Sequence, residues 1–157
     1  MIDSPAVHGS FSIERHYPAA PAKVFAACAD PALKKSWFAE SDTHEIAAYE
    51  SDFRIGGTER LTYRFGPSTP FPGAELTNEG VYHDIVDQRR IVTSSRMALE
   101  GRAISVALET IEIAGTDDGT SLTCTFQGVF FEGADGPEMR EQGWHDLLDR
   151  LGRSLAR

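Results

Sequence analysis

The sequence predicts an α+β fold: a strongly curved antiparallel sheet of about seven strands wrapped around a long C-terminal helix, with two short helices after the first strand. Three observations carry that expectation. Strand-like alternation dominates from Phe53 to about residue 128, where runs such as Leu61, Tyr63 and Phe65 share one face. The period then changes, and Trp144, Leu147, Leu148, Leu151 and Leu155 recur at helical spacing. The remaining helical signals lie together near the start of the chain, so helices and strands are segregated, as in antiparallel α+β folds.

The first strand is predicted over Phe11–Tyr17, with Phe11, Ile13 and Tyr17 on one face, and Pro18 ends it. Pro21 suits the first turn of a short helix through Cys28. Asp30-Pro31 reads as the cap and first position of a second helix, which delivers Trp37-Phe38. Residues 40–52 hold five acidic and no basic side chains and read as a solvated loop with one short strand. Strands follow at Phe53–Ile55, 59–65 and about 78–86, 90–98, 103–113 and 120–128, with a hairpin turn at Gly115–Gly119. Gly56-Gly57, Gly80, Gly101 and Gly128 are the expected sites of bulges and bends. In the last helix, Glu138 and Glu141 lie near the start and Arg150, Arg153 and Arg157 near the end, complementing the helix dipole.

The 157 residues suit one domain, spanning 1–157 with a core of about 10–155. A net charge of −9 repels phosphate backbones and anionic membrane surfaces, so neither nucleic acid nor membrane insertion is expected. No apolar run approaches the roughly 18–20 residues of a membrane span. Met1–Pro5 lacks the basic start and apolar core of a secretory signal, which makes a cytoplasmic location the expectation. The Cys and His residues show no metal-ligand spacing, and neither a phosphate loop nor a nucleophile elbow occurs, so no metal, no cofactor and no catalytic residue is assigned.

One helix cannot fill a strongly curved sheet, so an internal cavity is expected between them, lined by strand side chains and roofed by the helix. The candidate lining is Trp37, Phe53, Tyr63, His83, Met97, Val106, Leu108, Phe126, Trp144 and Leu148. Large apolar and aromatic side chains with a few polar groups suit an apolar or aromatic small molecule. His83 is the polar member: it points inward if Val81 and Ile85 do, and outward in the opposite register, which would turn Tyr82 and Asp84 in. Glu109 is expected on the solvent side, with an inward placement requiring a bulge, and Arg15 shares that ambiguity. Cys124 alternates with Leu122 and Phe126 and reads as a small buried hydrophobe.

The ordered pieces resemble a known group. Ala20–Phe25, Asp30–Leu33 leading to Trp37-Phe38, Asp52–Gly57, Gly80–Val86, Arg90–Thr93, Gly119–Thr123 and Glu141–Trp144 are similar to those of the START-like (SRPBCC, Bet v 1-like) helix-grip proteins. Within that group they resemble bacterial homologues of the activator of heat-shock protein 90 ATPase. The resemblance implies the helix-grip fold, and it implies functions that range from ligand carriage to co-chaperone contact and polyketide cyclase or hydrolase chemistry. In the enzyme version His83, with Tyr63 or Glu109, would transfer protons. The eukaryotic activators resemble two-domain proteins, whereas this sequence accounts for one, so a chaperone ATPase is not the expected partner. Exposed strand edges leave a homodimer open.

Overall fold

Seven strands form one open antiparallel sheet in the order β1-β7-β6-β5-β4-β3-β2. The computed structural model describes residues 5–157, so the reading of a missing secretory signal rests largely on Met1–Ser4, outside the described residues. The strands are β1 (Val7–Tyr17), β2 (His44–Ser51), β3 (Thr58–Phe65), β4 (Glu75–Val86), β5 (Arg90–Leu99), β6 (Arg102–Thr116) and β7 (Gly119–Phe130). Between β1 and β2 lie α1 (Pro21–Ala29), α2 (Pro31–Lys34) and a π-helical turn (Lys35–Ala39), and α3 (Pro137–Leu155) closes the chain.

Local chemistry explains the helix starts. Pro21 and Pro31 stand in the first turns of α1 and α2, and the Asp30 carboxylate accepts the Ala32 amide at 2.9 Å. The π-helical turn then buries Trp37, Phe38 and Ala39, with the Trp37 indole donating to the Ala27 carbonyl at 2.9 Å. In α3 the buried stripe is Arg140, Trp144, Leu148, Leu151 and Leu155, a spacing of four, four, three and four. That stripe packs against the concave face of the sheet, where Tyr17 donates to the Leu148 carbonyl at 2.8 Å. Lys23 and Arg150 secure the same helix through the carbonyls of Leu155 and Trp37.

Four expectations about the chain's course change. The strand in the acidic segment runs eight residues, His44–Ser51, and forms a sheet edge. Phe53–Ile55 is a connecting loop and not a strand, because the chain must reverse between β2 and β3. Its Phe53 ring packs edge-on against Phe25 and Tyr82, at centroid distances of 5.8 and 5.0 Å. The first strand begins four residues earlier than expected, at Val7, because β7 offers it partners from Phe130 onward.

The bulges, finally, do not fall at the glycines. They lie between Ile46 and Ala48, Tyr82 and Asp84, and Met97 and Ala98. Gly56 and Gly101 do serve bends, in turns with φ of 84° and 79°, whereas Gly128 and Gly57 serve closeness: a Cβ on Gly128 would meet the Phe126 ring at 2.6 Å, and one on Gly57 would collide with the Asp52 carbonyl.

Candidate functional site

The concave face and α3 enclose a cavity of about 570 Å³, a volume ordinary for small-molecule sites. Its apolar wall comes from Leu61, Tyr63, Leu76, Met97, Ile104 and Phe126, and Trp144 and Leu147 of α3 form the roof. The mouth opens between the β3–β4 loop and the start of α3, where Phe71 and Met139 are 52% and 65% exposed. Large apolar side chains left half in water at a cavity rim have gained nothing by folding there, and an incoming apolar body would cover them.

At its inner end the cavity turns polar. Asn78, Ser95 and Glu109 stand there and also border a small recess of about 40 Å³ that reaches Cys28, Lys34 and Glu59. The Ser95 hydroxyl donates to Glu109 Oε1 at 2.5 Å. Burial pushes the Glu109 carboxyl above the usual carboxylate range, and this outweighs the opposing pull of Ser95 and Lys34. In the recess, Lys34 Nζ lies 2.6 Å from Glu59 Oε2, and the Tyr49 hydroxyl donates to the same oxygen at 2.7 Å. Burial works against the Lys34 ammonium, but the facing Glu59 carboxylate more than compensates and holds it above the ordinary lysine range. The ammonium also sits 4.4 Å from the centre of the Phe38 ring. Cys28, pushed up to about 11 by burial, is an inert thiol there.

Two further groups shape the entrance. Arg140, 8% exposed, forks onto both oxygens of Asp135 at 2.7 and 2.8 Å and donates to Ser105 Oγ at 3.0 Å. Its guanidinium lies 5.0 Å from the Phe130 ring centre, so charge, hydrogen bonds and aromatic faces are all satisfied within the wall. His44 stacks on Tyr63 at 3.9 Å and bonds the Ala39 carbonyl at 2.6 Å, and burial lowers its proton affinity. Tyr63 is pushed up to about 12, again by burial, and stays a neutral phenol.

The ten side chains expected at the cavity separate into three groups. Tyr63, Met97, Phe126 and Trp144 border it, and Trp37 borders the adjoining recess. Phe53 and Leu148 are packed elsewhere: Phe53 against Phe25 and Tyr82, and Leu148 fully enclosed on the buried face of α3. His83, Val106 and Leu108 point away from the cavity. His83 is the extra residue of the β4 bulge and bonds Ser94 on the outer face at 2.6 Å. The bulge lets Tyr82 and Ile85 both pack inward, which strict alternation forbids. Val106 and Leu108 are 41% and 38% exposed on the convex side.

Glu109 is the corresponding gain. The two-residue turn pairs Thr116 with Gly119, and every pair up the hairpin follows, so Glu109 faces Phe126 and Ile111 faces Cys124. Cross-strand partners share a face, so the inward Leu122, Cys124 and Phe126 carry Ile113, Ile111 and Glu109 inward without any bulge. Cys124 itself is fully buried, with its thiol pushed further up by burial. Arg15 also turns toward α3, and its guanidinium is taken by Asp149 at 3.0 Å and by His145.

Missed altogether were Asn78, Ser95, Arg140 and the Lys34–Glu59 pair. Arg140 had a readable signal, one turn before Trp144 on the apolar stripe and five residues after Asp135. Lys34 and Glu59 had none, being separated by 24 intervening positions in ordinary polar contexts.

A broad depression on the convex face, beside Val106, Leu108 and Val129, has a larger volume of about 720 Å³. It lies open along its length and holds no buried charged group, so the enclosed concave cavity is the better candidate site.

A curved antiparallel sheet gripping a C-terminal helix over an internal cavity defines the helix-grip, START-like class of protein. Residues 18–156 match the family described as Activator of Hsp90 ATPase homolog 1-like protein, and the chain belongs to that family. Among solved structures it is similar to an uncharacterized protein from Rhizobium leguminosarum, at 34% identity and TM-score 0.91, covering 99% of each chain. It is also similar to the Mll3558 protein from Rhizobium loti, at 39% identity and TM-score 0.85, over 96% of this chain and 99% of that one. An AHSA1-like protein from Aeromonas hydrophila shares the fold at 19% identity and TM-score 0.69, over 94% and 92% of the two chains. No curated protein matches the sequence.

Proposed function

We propose that this protein binds an apolar or aromatic small molecule in the cavity between the concave sheet face and α3. The observation that carries the reading is a cavity of about 570 Å³ with apolar and aromatic walls and an inner end of Asn78, Ser95 and Glu109. A wall of this kind supplies area-proportional affinity, and a few polar groups at one end orient the guest.

Native mass spectrometry of freshly purified protein, compared with its denatured mass, tests this directly, followed by saturation binding of 2-ethylnaphthalene. A retained adduct or saturable binding of the probe, abolished by Met97→Trp, is expected. A clean mass together with no saturable binding would overturn the reading.

A further inference from the structure

The polar end of the cavity has unused hydrogen-bonding capacity. Ser95 donates to Glu109 Oε1, but among the described residues Glu109 Oε2 and the Asn78 amide have no protein partner. No enclosed side-chain nitrogen or oxygen among those residues is left unpaired, so both groups open onto the cavity space. We propose that Glu109 and Asn78, with Ser95 behind them, form a head-group site that takes the carbonyl or hydroxyl oxygen of an uncharged aromatic or alicyclic molecule. The inference rests on the cavity reading above and specifies the chemistry of its guest.

The charge arrangement selects an uncharged head. The ionisable groups facing Glu109 are Lys34 from α2, Glu59 from β3, Cys124 from β7 and Arg140 from α3. Lys34 is held by Glu59 and Arg140 by both oxygens of Asp135, so neither cation is free to neutralise a carboxylate at position 109. Cys124 is a neutral thiol. Burial therefore favours the acid form of Glu109, in line with its raised proton affinity. With Oε1 accepting from Ser95, the acid proton sits on Oε2 and points at the guest. A ketone oxygen can accept from Oε2–H and from the Asn78 amide, and a hydroxyl can also donate to the Asn78 oxygen. At the Glu109 end a carboxylate head would leave water without gaining a cation, since Arg150, the further guanidinium on the cavity lining, bonds the Trp37 carbonyl and is not among the groups facing Glu109.

Equilibrium dialysis with three related probes tests the inference: 2-acetylnaphthalene, its analogue without the oxygen 2-ethylnaphthalene, and 2-naphthoate. At pH 6 the acetyl probe is expected to bind about tenfold tighter than the ethyl probe, the worth of one or two neutral hydrogen bonds, and 2-naphthoate weakest of all. Glu109→Leu should cut the acetyl preference below about threefold while leaving 2-ethylnaphthalene bound, and Glu109→Gln, which keeps a donor, should retain most of it. In the unmodified protein the preference should shrink as rising pH ionises Glu109, and in Glu109→Gln it should stay level.

If both neutral probes bind equally, or if the preference survives Glu109→Leu, the head-group site is wrong and the cavity reading stands. Tight binding of 2-naphthoate would likewise overturn the head-group site alone. If neither neutral probe binds, the head-group site falls, and with a clean native mass the cavity reading falls with it.

Discussion

Replacing Lys34 by Met removes one half of an ion pair that sits inside the protein. The side chains of Lys34 and Glu59 are 12% and 8% exposed, and their charged atoms lie 2.6 Å apart. At that distance and an effective dielectric of about 20, the attraction is about 6 kcal/mol. Deleting the cation forfeits it and leaves Glu59 desolvated with only the Tyr49 hydroxyl as partner. The net cost expected is about 3–5 kcal/mol, a large share of the roughly 5–15 kcal/mol that holds a domain folded. For a chain of this size it amounts to a fall in Tm of about 6–20 °C.

The double variant Lys34→Met/Glu59→Leu puts apolar volume where both charges were, and should recover most of that loss. Urea unfolding followed by circular dichroism measures both, together with the single variant Glu59→Leu, and the double-mutant cycle isolates the pair. The pH dependence has a definite sign. Lys34 is held above the ordinary lysine range, so its contribution is fully present below about pH 10.4 and disappears only in stronger alkali. A cost below about 1 kcal/mol for Lys34→Met, with the double variant merely summing the singles, would refute the reasoning.

Other consequences follow from the same geometry. Glu109 has a raised proton affinity in the folded state, so its protonation favours folding at low pH, and that contribution is lost as pH rises from about 4.5 through the raised value. Glu109→Gln should accordingly be more stable than the parent in alkaline buffer and less pH-sensitive, as thermal melts from pH 4 to pH 9 would show. Gly143→Ala should raise stability by about 0.5–1 kcal/mol in urea titrations, since the added methyl meets nothing and the helix gains propensity. His83→Ala, on the outer face, should change stability by no more than about 0.5 kcal/mol. Cys28 and Cys124 are buried with raised thiol proton affinities, so a disulfide reagent at pH 8 should label neither until denaturant is added.

The fold was legible because its signals repeat. Alternation in β3 and β7, the cap and proline at Asp30-Pro31, and the three-and-four spacing of α3 each restate the same topology. The face of a single strand has less redundancy. β6 carries apolar side chains on both phases, Val106 and Leu108 on one and Ala107, Ile111 and Ile113 on the other, and composition alone favours neither. The deciding information was long-range: counting pairs back from the Asp117-Asp118 turn against Leu122, Cys124 and Phe126 turns Glu109 inward. His83 was unreadable for a different reason, because a bulge inserts one residue and no local signal in Val81–Ile85 marks it. The buried Lys34–Glu59 pair depends on α2 reaching across to β3, a contact no short-range pattern encodes.

The central claim, that the concave cavity takes an apolar guest, is tested most directly by titrating isotope-labelled protein with 2-acetylnaphthalene and following its amide and methyl resonances. Saturable shifts are predicted at Met97, Ile104, Phe126 and Trp144, which border the cavity, with Val106, Leu108 and His83 on the convex side unmoved. Shifts confined to Val106, Leu108 and their outer-face neighbours, or no saturable shifts at all, would contradict it.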